Sequence, residues 1–521
     1  MIKNEIKKII EDSIKENLKG FKIPEILVEY PKNDIYGDYS TNIALKIAKN
    51  LNKSPMDTAE MISSKIKKQG VVKEVKVVSP GFINFFVSED YLKKSLKEVL
   101  KKKDKFGSLK IGKGQKVNVE FVSANPTGPL TLGNGRGGFS GDVLSNVLKK
   151  AGYNVTKEYY VNDKGEQIRK LGHSVVGDKE AVYQGKYIEE LKKRIKEKDR
   201  DKAGEKAAKI ILKEMIKESL KKMKIRFDKW SSEKSLYKSK EIDKALKILK
   251  DKGLSYQKDN ALWFKSTEFG DDKDRVLIKE NKEETYLLSD IAYLLNKFKR
   301  GFKKLILFWG ADHHGYVNRL KAAAQALGYN KEDVEIIIFQ LVRLIRDKKE
   351  VRMSKRTGDY ITLDEVIDEV GLDAARFFFL TRDYNSHLNF DMSLAKEESK
   401  NNPVYYVQYA YARISSILRK SKIRLKKTDF NLIHHKSELE LIKQVIRFDE
   451  VIEDILKDYS VSKLPQYAVD ISDAFHRFYE NCKVISEDIR VSQERLLLVL
   501  AVKIVLKNTL DLMGVSAVEK M

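Results

Sequence analysis

The segment Ser123-Ala124-Asn125-Pro126-Thr127-Gly128-Pro129-Leu130-Thr131-Leu132-Gly133-Asn134 has the residue types of a phosphate site. It follows an apolar run, Val117 to Val122, that reads as a buried strand. It leads into a helical pattern, Gly141 to Ala151. A strand, a polar Gly/Pro loop and a helix start together bind anions, because free backbone N–H groups and the helix dipole point at the loop. Gly133 allows close backbone approach, and Thr131 offers one hydroxyl. Far downstream, Arg352-Met353-Ser354-Lys355-Arg356-Thr357-Gly358 forms a second, cationic loop. Lys355 is a compact point charge on a flexible stem. The two loops predict a nucleotide held between two halves of one sheet.

The first loop also contains a competing pattern. Gly133-Asn134-Gly135-Arg136-Gly137-Gly138 matches the dinucleotide fingerprint, and Glu158 stands at the offset of a ribose-binding acid. That pattern alone points to an NAD-binding oxidoreductase. In the fingerprint, however, the first glycine follows the strand directly. Here Ser123 to Leu132, with two prolines, intervenes, so the context weighs against it.

The elements that must position these loops come in three groups. Residues 1–105 read as an α+β module, with helical patterns at Met1–Leu18 and Tyr39–Leu51 and strands at Val71–Val78 and Phe82–Val87. Gly107 to Gln115 is a Gly/Lys linker. Residues 106–390 alternate strand and helix, with short apolar runs at Val117–Val122, Tyr159–Val161, Leu305–Phe308 and Val334–Ile338, as a parallel sheet requires. A Lys/Glu-rich stretch, Tyr187 to Gly253, reads as exposed helices inserted between the halves of the sheet, within an inserted region of about 176–285. The third unit is 391–521, and from Asn401 onward it reads as all helix. Leu441, Val445, Phe448, Ile452 and Ile455 fall on one face and are expected as bundle core.

Bulk properties narrow the function. The 521-residue chain carries a net charge of +25, which favours a polyanionic partner such as nucleic acid. Its one cysteine, Cys482, excludes a disulfide framework and a cysteine-based zinc cluster. The first 18 residues are charged and amphipathic, unlike a signal peptide. The longest apolar run, Leu496 to Leu506, contains Lys503 and is too short to span a bilayer. A cytoplasmic protein is expected.

Taken together, the motifs resemble those of the arginyl-tRNA synthetases, a class I aminoacyl-tRNA synthetase family. The resemblance is carried by Ser123 to Asn134, Gly152-Tyr153 with Glu158 to Asp163, Asp271 to Val276, Tyr286 to Tyr293, Gly310-Ala311-Asp312-His313-His314-Gly315, Arg352 to Gly358, Asn402 to Ala410 and Leu510 to Val515. These blocks stand in family order along nearly the whole chain. The implied fold class is α/β: a Rossmann-like parallel-sheet catalytic domain with a helical insertion, an N-terminal α+β module and a C-terminal all-α helical bundle. The implied reaction has two steps. The arginine carboxylate attacks the α-phosphate of ATP to give arginyl-adenylate, and a 3′-terminal hydroxyl of tRNA(Arg) then takes the arginyl group. Neither step needs a protein nucleophile, so catalysis is positioning and charge stabilisation.

The resemblance assigns residues. Lys355, Ser354, Thr131 and Asn134 become catalytic. Pro129, Thr131, Gly133, Asn134, Gly310, Asp312, Met353, Ser354 and Lys355 are expected to bind ATP, with Asp312 holding the ribose. Glu120, Ser123, Asn125, Asn134, Tyr286, Asp290 and His313 are expected around arginine. A carboxylate accepts a guanidinium bidentately, and Tyr286 and Asp290 share one helix face. Tyr405, Tyr409 and Arg413 offer aromatic and cationic contacts to tRNA. The N-terminal module, through Tyr30-Pro31-Lys32-Asn33 and Tyr36-Gly37-Asp38-Tyr39, resembles the family's elbow-contacting domain. Mg2+ is expected to arrive with ATP; no zinc or other protein-held metal is expected, because His313-His314 has no further ligand at suitable spacing. The expected partners are tRNA(Arg), L-arginine and ATP, without a membrane, and the chain is expected to be a monomer. Thr131 stands where the family signature usually opens with histidine. Loss of one preorganised donor costs roughly 3 kcal/mol of barrier, which motivates an alternative reading, a catalytically weakened tRNA-binding paralogue.

Overall fold

The computed structural model describes residues 1–31, 33–351 and 361–521. In the N-terminal module the helix Ile2–Asn17 buries Ile2, Ile6, Ile10 and Ile14, which repeat every four residues along one face. Strands β1 (Tyr39–Thr41), β2 (Val72–Val78) and β3 (Phe82–Val87) form an antiparallel sheet in the order β1-β3-β2. The sequence reading placed a helix over Tyr39–Leu51. Instead, Tyr39, Ser40 and Thr41 pair with Phe85, Asn84 and Ile83, and the α-helix covers only Ile43–Ile47. A partner strand at hand suits an aromatic and a β-branched residue better than a helix does.

The central sheet contains β4 (Lys116–Glu120), β5 (Asn154–Val161) and β6 (Lys229–Ser232). A separate antiparallel sheet follows, of β7 (Ser255–Lys258), β8 (Ala261–Phe264) and β9 (Arg275–Ile278). The chain then returns with β10 (Lys304–Gly310) and β11 (Val334–Phe339). The five central strands are all parallel, in the order β11-β10-β4-β5-β6. Beyond them lie β12 (Val342–Arg346), β13 (Lys349–Val351) and β14 (Leu388–Asp391), with β12 between the other two. The Lys-rich stretch 187–253, read as exposed helices alone, contributes β6 to the central sheet. The connections after β4 and β10 run to opposite sides, so the switch point lies between these two strands. Ligands of such sheets bind there, outside the carboxyl ends.

The signature helix, Leu132–Lys150, starts nine residues before the helical pattern of the sequence. Glycines disfavour a helix interior, but these ones are needed for packing. A Cβ on Gly141 would stand 2.3 Å from Phe121, and one on Gly135 would stand 2.6 Å from Leu363. Phe139, Val143 and Val147 on the same helix are fully buried, each contributing about 1.5–3 kcal/mol.

Helices Pro403–Lys420, Lys436–Ile446, Phe448–Asp458, Lys463–Asn481 and Ile489–Met513 form the C-terminal bundle. Leu441, Val445, Phe448, Ile452 and Ile455 are all buried, as expected, although they divide between two helices. Several polar joints hold this bundle to the rest, among them those of Glu450 and Arg376. Buried Glu450 accepts hydrogen bonds from the Tyr39 hydroxyl (3.1 Å) and the Lys3 N–H (2.9 Å). Buried Arg376 donates to the Met513 and Met223 carbonyls and pairs with Asp142 of the signature helix.

Candidate functional site at the strand ends

Strand β4 ends at Glu120, and the chain bends sharply after it. Val122 and Ser123 have φ of 64° and 35°, a region costly for a β-branched side chain. The bend aims Ser123 back at the sheet. Its hydroxyl donates to Glu120 Oε1 (3.2 Å) and accepts from the Tyr160 N–H (3.0 Å). The Tyr159 hydroxyl donates to the Ala124 carbonyl (2.8 Å), and Asn162 Nδ2 donates to Asn125 Oδ1 (2.7 Å). The strained turn is therefore pinned from β5 on three sides.

Thr131 caps the signature helix. Its N–H (2.9 Å) and hydroxyl (3.0 Å) both donate to Asn134 Oδ1. Among the described residues, a Cβ on Gly133 would find nothing nearer than the Thr131 hydroxyl at 3.9 Å. Pro129 is half-buried in the same loop. By contrast, Gly137 and Gly138 pack against Phe339 and Met223, so they approach side chains instead of a pyrophosphate. Glu158, the acid that a dinucleotide site would need, is fully occupied elsewhere.

On the other side of the switch point, β10 ends at Gly310. Asp312 and His313 are exposed on the following turn, with His313 Nε2 3.5 Å from Asp312 Oδ2. Tyr316, on the same turn, reaches the pocket helix Tyr286–Lys299. Its hydroxyl donates to Asp290 Oδ2 at 2.6 Å. Removal from water pushes the Asp290 carboxyl up to about 7; the Glu120 charge adds to this, and the Tyr316 hydrogen bond and Lys297 oppose it. Glu120 itself is paired with buried Lys297. Tyr286 is 53% exposed one turn before Asp290.

Three groups around this pocket went unnoticed in the sequence. Glu233 is buried, its Oε2 has no hydrogen-bond partner among the described residues, and burial followed by the Asp290 charge pushes it up to about 7. The Tyr160 hydroxyl is likewise buried and unpartnered, and Glu233, Asp290 and Glu120 all raise its pKa after burial does. Tyr316 is the third. Glu233 was hidden inside the charged insertion, where Ser231-Ser232-Glu233 at a strand-to-helix corner was the available signal. Two carboxyls raised by burial and an unpartnered phenol make a pocket in which neither acid has an ion-pair partner among the described residues. A planar guanidinium has the donors to satisfy all three.

Glu120, Ser123 and Asp290 thus meet at the switch point, with Tyr286 close to Glu233, whose charge it feels. His313 packs tilted against Trp309 and lies beside Asp312, and it is Tyr316 that touches Asp290. Met353, Ser354 and Lys355 lie outside the described residues. Two residues beyond the resumption at Ile361, the Leu363 N–H donates to the Leu130 carbonyl (3.0 Å) in the first loop. In the bundle, Tyr409 is 40% exposed, and Arg413 donates to its hydroxyl (2.9 Å) and lies 4.5 Å from the Tyr479 ring. Tyr405 is half-buried on the same helix. Of the other tyrosines there, Tyr411 is buried core. In the N-terminal module, Tyr39 and Tyr30 serve the joint to Glu450, while Ile35 and Tyr36 are exposed.

Three family models match the chain: the arginyl tRNA synthetase N terminal domain at 3–87, the catalytic domain of class I (R) tRNA synthetases at 95–201 and 174–391, and the DALR anticodon binding domain at 407–521. The arginine–tRNA ligase of Listeria welshimeri is 43% identical over 97% of this chain and 96% of its own length. That of Geobacillus thermodenitrificans is 44% identical over 96% and 95%. Among solved structures, a putative arginyl-tRNA synthetase from Campylobacter jejuni matches with a TM-score of 0.76 and 34% identity, over 84% of this chain and 100% of its own. The Thermus thermophilus arginyl-tRNA synthetase matches with a TM-score of 0.80 over the full length of both chains, at 20% identity. No helix among the described residues is long and apolar enough to cross a membrane.

Proposed function

This chain belongs to the class I arginyl-tRNA synthetase family, and on that premise we propose which of its residues carry each part of the reaction. The protein ligates arginine to tRNA(Arg) through arginyl-adenylate, at the expense of ATP. The Glu233–Asp290 pair is the observation that carries the proposal. Burial holds each carboxyl near 7, and a bound guanidinium supplies the close positive charge that would ionise it. Tyr316 orients Asp290, and Tyr286 closes the exposed side. The arginine backbone is taken by Ser123 and Asn125, while Glu120, anchored by Lys297, steadies Ser123 and faces the ammonium.

ATP lies across the open Gly133 backbone and the start of the signature helix, where the dipole favours its phosphates. Pro129, Thr131 and Asn134 line that start, with Gly310 and Asp312 on the ribose side. Lys355, with Ser354 and Met353, stabilises the charge that builds as the arginine carboxylate attacks the α-phosphorus and pyrophosphate leaves. Mg2+ arriving with ATP would screen the triphosphate charge. Tyr409 and Arg413, flanked by Tyr405, offer a stacking and cationic face for anticodon bases. The three units are assigned to 1–105, 106–390 and 391–521.

The test is ATP–pyrophosphate exchange across the amino acids, with and without tRNA(Arg), followed by charging. Arginine alone is expected to support both. Exchange with lysine or citrulline equal to that with arginine would refute the carboxylate pocket, and folded protein that charges nothing would refute the site as a whole.

A further inference from the structure

Tyr316 holds Asp290, and Arg319 packs on Tyr316. The helix Val317–Leu327 begins directly after the turn that carries Tyr316, and it brings Arg319 back over the same ring. The Arg319 guanidinium lies 4.5 Å from the ring centre. Trp309, at the end of β10, meets that ring edge-on at 5.9 Å and 66°. The phenol is thus flanked by two side chains, with its hydroxyl committed to Asp290 Oδ2 at 2.6 Å. Arg319 is half-buried and enters no ion pair among the described residues. Its Nε is buried without a hydrogen-bond partner among them. A guanidinium withdrawn from water with no acid beside it is costly, and the aromatic face beneath it offsets part of that cost.

The charges around Asp290 show what this cation does. Glu120 faces it from β4, Glu233 from the strand-to-helix corner after β6, and the Tyr160 phenol from β5. Both acids oppose its ionisation. Lys297, on its own helix, favours ionisation but is already paired with Glu120. Arg275 of β9 feels Tyr316, and it is paired with Asp271. Arg319 is the remaining cation that favours ionised Asp290, and it does so without pairing with the carboxylate. Direct pairing would close the pocket, as the two arms of Arg300 close Glu158. We propose that Arg319 is a positioning residue for the arginine side chain, a resident charge behind Tyr316 that favours the ionised Asp290 a substrate guanidinium needs. It stands off the carboxylate, so the pocket stays vacant for the second guanidinium.

This inference rests on the arginine–tRNA ligase reading, and the test separates the two. Calorimetry on the full chain measures binding of arginine and of its uncharged analogue citrulline between about pH 5 and 9, for the wild type, R319M and R319K. R319M keeps much of the stem and loses the charge. Its arginine-binding profile is expected to move up by about one pH unit, which weakens arginine about tenfold near pH 6 and little near pH 9. Citrulline, which needs no ionised Asp290, should bind R319M no worse than the wild type. R319K should keep the wild-type midpoint. R319Q, also uncharged, repeats the test should R319M fail to fold. A midpoint that stays put in the uncharged variants would mean that Arg319 only packs, and would overturn the proposal. Equal weakening of arginine and citrulline at every pH would mean a loosened pocket and overturn it too. If the wild type binds and charges arginine and R319M matches it throughout, the inference alone fails; if the wild type charges nothing, the underlying reading fails.

Discussion

Glu158 and the Glu233–Asp290 pair are buried acids on two sides of one aromatic wall, and they are treated in opposite ways. Tyr293 and Tyr160 stack at 4.3 Å to form that wall. On the Tyr293 side, Glu158 receives both arms of Arg300, at 2.8 and 2.9 Å, together with Asn118, Ser231 and the Tyr293 hydroxyl. Burial opposes its ionisation, yet the Lys297 charge and the Arg300 hydrogen bonds hold it down to about 2. On the Tyr160 side, Glu233 and Asp290 enter no ion pair among the described residues; burial outweighs the more distant charges of Lys164, Lys297 and Arg319, and both stand near 7. A carboxylate that finishes its own bonding is part of the scaffold. A pair left unfinished by the fold is poised for a ligand.

The sharpest way to break this comparison is to neutralise one acid on each side. D290N should lower kcat/KM for arginine by roughly 30- to 5,000-fold, the 2–5 kcal/mol of a truncated buried charge pair, and leave the unfolding midpoint unchanged or higher. E158Q should do the reverse. It strands Arg300, so about 3–5 kcal/mol of stability should go, with KM for arginine preserved in the protein that stays folded. Denaturant titration and steady-state kinetics on both variants decide it. Equal damage to arginine use in the two would abolish the distinction.

The same contrast appears in pH dependence, with opposite signs. Glu158 has its folded pKa depressed, so its contribution is complete above the unfolded value near 4.3 and is lost as the pH falls toward about 2. Asp290 and Glu233 have theirs raised, so the empty protein binds more protons than the unfolded chain between about 4 and 7 and loses stability as pH rises through that window. Arginine needs both ionised. Its affinity should therefore rise over the same window and level off above about 7, with proton release on binding at pH 6. Calorimetry in buffers of different ionisation enthalpy measures that release; binding without it would mean that the acids are already charged.

A smaller effect is expected from Y316F, which removes the hydroxyl that steadies Asp290. The loss of one hydrogen bond to a charged group, about 1.5–3 kcal/mol, corresponds to a rise of roughly 10- to 150-fold in KM for arginine with kcat held. An equivalent rise in H313A would shift the role to the histidine that the sequence resemblance had favoured.

How legible this was varied with the range of the forces involved. The strand–loop–helix order and the spacing of Tyr286 and Asp290 are local patterns, and the sequence displayed them. The early start at Leu132 was hidden because its glycines are poor helix formers until Phe121 and Leu363 press against them. Strand β6 was hidden because Lys229 to Ser232 shows no alternation strong enough to stand out from its lysine-rich surroundings. Glu233 depended on β6: without that strand, nothing carries a charged residue of the insertion to within reach of the Asp290 charge. Tyr316 was missed because two adjacent histidines looked more chemical than a tyrosine that meets Asp290 only in three dimensions.

The least change is expected at the phosphate end, and it sharpens the comparison by leaving the acids alone. Thr131 gives both its N–H and its hydroxyl to Asn134 Oδ1, so T131A removes one of two bonds holding that side chain over the helix start. A helix cap of this kind is worth about 1 kcal/mol, about fivefold. The variant should show about that change in KM for ATP, with the arginine KM and its pH profile unmoved. T131H replaces the hydroxyl by an imidazole that can reach the triphosphate directly, and faster pyrophosphate exchange would mean that threonine limits activation here. An arginine KM that shifts with T131A would instead show that the cap holds the strained turn at Val122 and Ser123, and that the two ends of the site are one mechanical unit.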